Sequence, residues 1–458
     1  MNKTNVGQWA SQSHAGRILL LGILVLVLQI PINAVESLVF ERSATQRQAV
    51  DEIQQKWGGE QKIVGPLLVI PYQVRHYWTD AVSGAKETKT EIKRAVFLPD
   101  TLDVSNHLNN ETRYRGIFEV PLYQATVTLD GQFSYPQFDQ WDINPDDVLW
   151  DKARLLVMVS DARAIQKQAA VNWNGTKLYF EPGTDETMRH KEGYHVDLKN
   201  IKDGTALGTE QFTFSIELML NGSKGLYAAP LGKDSLVNIH APWPDPSFQG
   251  KWLPTSRNVN QDGFVAQWQI PYLGRNFPQQ SRDFSSIQAN IDESLVGVAL
   301  ISPIDHYRMS ERSIKYQLLF LFLTFTVIWL IELLAKLQVH IMQYLLIGAG
   351  LCTFYLLELS LSEHLGFYWA YGMATTAIVV MVSAYSYVVL QTGKRAAVIG
   401  ASLTALYLYL FTLLQEQNYA LLIGSVGLFV MLTIVMYITR HIDWFKITQS
   451  PRVKNGSA

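Results

Sequence analysis

A single cysteine occurs in 458 residues, Cys352, and it stands inside an apolar stretch. No intramolecular disulfide is therefore available. A soluble region of the size found here buries a sufficient core without one, so the missing staple says little about redox compartment. Cys352 reads as a small membrane-helix residue rather than as a reactive thiol. Net charge is nearly absent as well: 38 Lys and Arg against 40 Asp and Glu leave −2, with no basic tract. That balance argues against nucleic acid as a main partner. Catalytic signatures are missing too. The chain contains no G-x-S-x-G, no H-E-x-x-H, no P-loop and no G-x-G-x-x-G. Neither an internal repeat nor a low-complexity tract stands out.

What is present is unevenly spread. Mean hydropathy is +0.05, the value of an ordinary globular chain, but it averages two unlike parts. Residues 316–439 hold seven charged side chains in 124, whereas residues 36–315 hold 64 in 280. The first density is that of lipid-facing segments and the second that of a soluble domain. A purely soluble enzyme and a disordered chain are both excluded.

Ile18–Val35 forms the first apolar run, after Arg17 and before Glu36. It is long for a signal-peptide core and no small-x-small site follows, so it reads as a retained anchor. Five further spans fall near 316–335, 342–361, 367–390, 396–415 and 419–438. Each approaches the ~20 residues that cross a bilayer core. Very short links between them imply antiparallel neighbours. Lys3, Arg17, Lys336, Lys394, Arg395, Arg440, Lys446, Arg452 and Lys454 collect on one side. The links at 362–366 and 416–418 on the other side carry no Lys or Arg. The positive-inside bias then puts both termini in the cytoplasm and residues 36–315 outside. Trp329, Trp369, Tyr437 and Trp444 fall toward span ends, where amphipathic rings prefer to sit. Ala397, Ala401 and Ala405 make a small-residue stripe at helical spacing, and Gly348 precedes Cys352 by four. Both are expected packing faces.

The expected domains are a cytoplasmic N-terminus (1–17), an anchor (18–35), an exported β-rich domain with an N-terminal helix (36–315), a five-helix bundle (316–438) and a basic cytoplasmic tail (439–458). In the exported part, Glu41–Trp57 predicts a helix with Val50, Ile53 and Trp57 on one face and Gly58-Gly59 as its stop. Beyond it the period becomes two. Phe212, Phe214, Ile216, Leu218 and Leu220 alternate up to Asn221-Gly222; Val127 and Leu129 lead into Asp130-Gly131; Asp262-Gly263 precedes Phe264, Ala266 and Trp268. Asn174-Gly175 adds a fourth pair. Such dipeptides beside alternating residues predict hairpins. Leu67–Ile70 and Leu155–Val159 read as buried strands. The fold class is a multi-pass helical membrane protein with six spans and a large, mainly antiparallel β-rich domain.

Residues that could carry chemistry are few. Asp142, Asn144 and Asp146 imitate the start of a calcium loop, but glycine is replaced by Asp147 and the final Glu by Ala153. His190 and His195 are five apart, a spacing that suits neither one helix face nor one strand face. Asn110, Asn174, Asn221 and Asn455 begin sequons, a tripeptide common by chance. Trp243 and Trp252 beside Asp and Arg could form a sugar platform, though Trp more commonly fills a sheet core and Pro rigidifies an exposed turn. Within the membrane part, Glu332 stands four before Lys336 and predicts an interfacial pair. Glu358 lies about one turn inside the third span, followed by Ser360, Ser362, Glu363 and His364. This polar track could hold a proton or cation, or could be a water-facing helix end.

These residues also carry a resemblance. The stretches are Val64–Pro71, Phe97–Asp100, Arg115–Phe118, Ser160–Arg163, Trp243–Phe248, Phe264–Trp268 and Glu311–Tyr316. They continue through Met342–Leu346, Leu361–Phe367 and Ile442–Trp444. In order and spacing they resemble the CreD inner-membrane protein family of Gram-negative bacteria over nearly the whole chain. The resemblance implies an envelope protein made under two-component control, associated with envelope integrity and tolerance to colicins and β-lactams. It implies no reaction, cofactor or catalytic residue; Glu363 and His364 fall in a family stretch and Glu358 does not. The expected partners are the lipid bilayer and periplasmic or peptidoglycan-associated components, with no nucleic acid and no cofactor. The preferred function is a non-enzymatic envelope protein with a sensing or binding domain. A transporter or channel using Glu358, Glu363 and His364 is the alternative, and an enzyme acting on lipid or peptidoglycan precursors is a third.

Overall fold

The computed structural model describes residues 14–79, 86–184, 192–198, 211–300, 306–335, 337–416 and 419–440. It divides into two compact units, one formed by Met1–Arg47 with Ile304–Ala458 and the other by Gln48–Pro303. The predicted helix at Glu41–Trp57 is not a separate element. It is the end of one helix, α1, His14–Trp57, which contains Pro31. Residues 36–40 (Glu-Ser-Leu-Val-Phe) hold no glycine or proline to break it, and Ser37 Oγ donates back to Asn33 O at 2.9 Å. Its stop is where the sequence placed it. Gly58 and Gly59 have φ of +136° and +52°, and both of their N–H groups bond Gln54 O, satisfying that end carbonyl through a left-handed cap.

The β-rich unit follows in chain order as β1 Gln61–Thr79, β2 Lys86–Phe97, β3 Thr101–Arg115, β4 Phe118–Ser134 and β5 Arg154–Val159. Next come β6 Ala170–Trp173, β7 Thr176–Tyr179, β8 Glu181–Pro182, β9 Gly193–Asp197, β10 Gln211–Gly222, β11 Gly225–Ala228 and β12 Asp234–Ala241. The last are β13 Pro246–Gly250, β14 Ser256–Asn260, β15 Gly263–Pro271, β16 Gln280–Ser281 and β17 Val296–Leu300, with helix α2 Ser285–Glu293 before β17. One sheet runs β13-β17-β11-β1-β5-β9-β8, with β2 joined to β1 and β16 to β2; the other runs β14-β15-β12-β3-β4-β10-β6-β7. Pairing is antiparallel except for β1 with β11 and β12 with β3. The alternation in β10 is real: Phe212, Phe214, Ile216, Leu218 and Leu220 are buried and the residues between them face outward. Leu67–Ile70 and Leu155–Val159 are buried strands, paired with each other in β1 and β5.

Two of the four expected hairpin turns are not turns. Asp130-Gly131 lies within β4 and pairs across to Phe214 and Ser215. Asn221-Gly222 ends β10, after which the chain passes to the other sheet. Glycine is needed at 131 for a different reason: a Cβ there would stand 2.0 Å from Thr101 O. Asn174-Gly175 and Asp262-Gly263 do turn the chain, with left-handed φ at Asn174, Gly175 and Gly263. The sheets share one core. Phe248 of the first meets Phe264 and Trp268 of the second edge to face. Trp268 is fully buried and Trp243 and Trp252 pack against this core, which is the packing use of tryptophan rather than an open platform.

The helical unit contains α1 up to Arg47 and then α3 His306–Lys315, α4 Gln317–Ala335 and α5 Ile341–Leu365. It closes with α6 Phe367–Leu390, α7 Gly393–Gln415 and α8 Ala420–Thr439. Six helices among the described residues are long and apolar enough to cross a membrane; α3 is the short, charged exception. Gly348 does sit on a packing face. A Cβ there would come 2.3 Å from Leu28 Cδ1 and 2.9 Å from Phe325 Cζ. The stripe Ala397, Ala401, Ala405 does not: these residues are exposed, and α7 packs through Ala396, Ile399, Leu403, Tyr407 and Leu410. Small size permits close approach but does not choose the face. The larger buried side chains do that here.

Candidate functional site

Helix α5 begins with a capping box, His340 Nδ1 accepting from Met342 N and Gln343 Oε1 from His340 N. It ends at Gly366, φ +78°, after which α6 starts at once. Glu358, Glu363 and His364 therefore occupy its last two turns. The carboxylates are five residues apart, so they point to different sides of the helix. One neighbouring element reaches both. On α3, Tyr307 and Ser310 stand three apart on one face: Tyr307 Oη donates to Glu363 Oε1 at 2.6 Å, and Ser310 Oγ donates to Glu358 Oε1 at 2.7 Å. From α1, Arg42 closes the site with Nε to Glu363 Oε1 at 2.7 Å and Nη2 to Oε2 at 2.9 Å. This two-point fork is the strong form of a charged hydrogen bond. Burial, and then the bond to Glu363, push the Tyr307 hydroxyl well above its ordinary range, so it remains a donor.

Glu358 is fully buried, and its Oε2 has no hydrogen-bond partner. His364 is exposed and makes no hydrogen bond to the carboxylates. The expected cluster thus resolves into two carboxylates tied through α3 and a histidine outside them. Arg42, Tyr307 and Ser310 are missing from the sequence reading. Tyr307, Ser310, Ser313 and Ile314 are the buried residues of α3, a helical period visible in the charged lead-in to the second span. Arg42 had only its position, two turns past the apolar run. Arg312, also on α3, donates to Leu414 O at 2.8 Å and Leu413 O at 3.1 Å, covering carbonyls at the end of α7 as a cation there should.

Glu332 is 5% exposed and takes Tyr344 Oη at 2.8 Å and Val339 N at 3.3 Å. Its expected partner Lys336 lies outside the described residues. In the β-rich unit His195 Nδ1 lies 3.0 Å from Gly183 O, and His190 lies outside the described residues. The residues that imitate a calcium loop serve as turn caps: Asn144 Oδ1 accepts Asp146 N at 3.0 Å, Asp142 has φ +55°, and Arg75 pairs with Asp147 at 2.6 Å. Among the described residues no group of three or more His, Cys, Asp and Glu side chains comes together as a metal site would require. Chemically, the α5 end holds helices together through charge and hydroxyl donors, its two hydroxyl–carboxylate pairs, Ser310 with Glu358 and Tyr307 with Glu363, each bridging α3 to α5.

Comparison with known proteins points one way. The profile of the family described as "Inner membrane protein CreD" matches residues 13–445. The chain is 32% identical over 436 residues to Inner membrane protein CreD of Escherichia coli (strain K12), covering 94% of this chain and 93% of that one. Among solved structures, a variant of an M1 zinc metallopeptidase from Deinococcus radiodurans, bound to a Tyr-Ser-Ala substrate, matches at 10% identity. That match covers 47% of this chain and 52% of the other with a TM-score of 0.21, too low to carry a fold argument.

Proposed function

The chain belongs to the CreD family of inner membrane proteins, and from that premise we propose a non-enzymatic role in the cell envelope. In this reading the β-rich unit is exported to the periplasm, both termini are cytoplasmic, and the helices anchor the unit or relay its state. The exported unit senses or binds envelope components and so supports envelope integrity under stress. The observation that carries the reading is how the polar residues at the end of α5 are used. Glu363 is gripped by Arg42 and Tyr307, bonds that join three helices instead of lining a passage. The orientation rests on the Lys and Arg bias of the short links. The test is capture of partners from native membrane patches by the tagged full-length chain. A specific periplasmic or peptidoglycan-associated partner is expected, and recovery of lipid alone would reject the role.

A second reading, a transporter or channel for a small envelope-active molecule, has one observation behind it. Glu358 combines full burial with an unpartnered Oε2, and ionisable groups in such places commonly mark transport paths. Glu358→Gln would then abolish an envelope-stress phenotype at unchanged protein abundance. A wild-type phenotype in that variant ends this reading.

A further inference from the structure

Two histidines 133 positions apart in sequence meet on the outer face of the second sheet. In the parallel pair β3 and β12, His107 is the register partner of His240. Their ring centroids lie 5.5 Å apart, with planes at 58°. Both side chains are exposed, while Asn106, Leu108, Ile239 and Ala241 beside them are buried. Both imidazoles therefore rise from the same sheet face. The strands that carry them are interior ones, β3 lying between β12 and β4 and β12 between β15 and β3. Their backbones are held by ladders on both sides. Across those ladders the next residues are Thr126 beside His107 and Val265 beside His240. Neither ring is hydrogen-bonded to a described residue, so its nitrogens are not already engaged.

We propose that His107 and His240 form a surface site for a divalent transition-metal ion. Imidazole nitrogens bind such ions at about 2.0–2.1 Å. Rings with centroids 5.5 Å apart need only side-chain rotation to place one nitrogen each on a common ion. No third His, Cys, Asp or Glu joins the pair among the described residues, so water completes the shell. Two neutral nitrogen donors without a carboxylate favour copper(II), then nickel(II) and zinc(II), and reject magnesium and calcium, which demand oxygen ligands. The rigid sheet supplies the spacing in advance, as a first shell placed on regular structure should be.

The test titrates the detergent-solubilised full-length protein with copper(II), zinc(II) or magnesium(II), following heat of binding and, for copper, nitrogen hyperfine structure in the electron spin resonance spectrum. Wild type should bind one equivalent of copper that is absent from a His107→Ala/His240→Ala double variant. Each single variant should weaken that equivalent by at least the roughly tenfold that even an outer-shell partner is worth. His76→Ala, which removes an exposed histidine paired with Glu91, should bind as wild type does. Copper should also raise the thermal midpoint of wild type and not of the double variant. Unchanged copper binding in the double variant, or binding of magnesium at the same residues, would overturn the site. All variants are at exposed positions, and equal metal-free midpoints confirm that folding is intact.

Discussion

Replacing Glu363 with Gln keeps the side chain's shape and removes the charge that the Arg42 fork holds. Arg42 is 34% exposed and Glu363 14%, so solvent screens part of the interaction. Hydrogen bonds to charged groups are worth about 1.5–3 kcal/mol each when well made; a net loss of about 1–3 kcal/mol is expected here. Thermal unfolding in detergent, followed by tryptophan fluorescence, measures it. Arg42→Lys should not restore stability, because an ammonium cannot span two oxygens. Tyr307→Phe should cost less than Glu363→Gln. In the β-rich unit the Arg163 guanidinium beside Asp161 holds that carboxyl below its ordinary range. A depressed carboxylate pKa means stability present above the unfolded-state pKa and lost as pH falls through the folded one. Asp161→Asn should therefore destabilise at neutral pH, with the difference from wild type shrinking as pH drops below the usual aspartate range. A difference constant from pH 7 to pH 3 would contradict the ion pair.

Among elements, the contact of α1 with α5 is the sharpest to test. Gly348→Ala pushes a methyl into Leu28 and Phe325, whose nearest atoms would stand 2.3 and 2.9 Å from it. Because Leu28 Cδ1 is the end of a flexible side chain, shortening that partner should relieve the clash. Gly348→Ala should destabilise by about 1–3 kcal/mol as an overpacked site does. Adding Leu28→Ala should cost less than the two single losses together. Ala401→Leu, on the exposed side of α7, should leave stability within about 0.5 kcal/mol of wild type; a large loss there would show that the face is covered. Much of this level was legible. The spans, the Gly58-Gly59 stop and the β10 alternation each follow from residues close in sequence. The turns show the limit. Asn174-Gly175 and Asp130-Gly131 look alike locally, but only the structure reveals that Gly131 meets the Thr101 backbone across a ladder.

For the whole molecule, what sequence could not supply is pairing at a distance. The β3–β12 register joins residues more than a hundred positions apart, and Glu363 is met by an arginine 321 positions earlier. No periodicity encodes either contact. By contact, Met1–Arg47 groups with Ile304–Ala458, leaving Gln48–Pro303 as the second unit. That unit has its own core from Ile63 to Val298. A fragment of residues 48–303 should therefore fold alone, giving a cooperative unfolding transition and dispersed amide resonances. A fragment that stays disordered would show that the core needs the helices.

The first and last strands of the β-rich unit, β1 and β17, are separated in their sheet by β11 alone. Gln61 at the start of β1 sits beside Leu226, and Leu226 beside Val298 near the end of β17. Two strand spacings of ~4.8 Å place Gln61 and Val298 about 10 Å apart. The region is a continuous insertion, Gln48–Pro303, between two segments that group together as the other unit, so it can be exchanged as a cassette. A foreign domain whose ends lie equally close could be spliced in its place with little change in the distance the two connections must span. Over generations, the inserted unit could diverge quickly while the helices kept their clasp at Glu363.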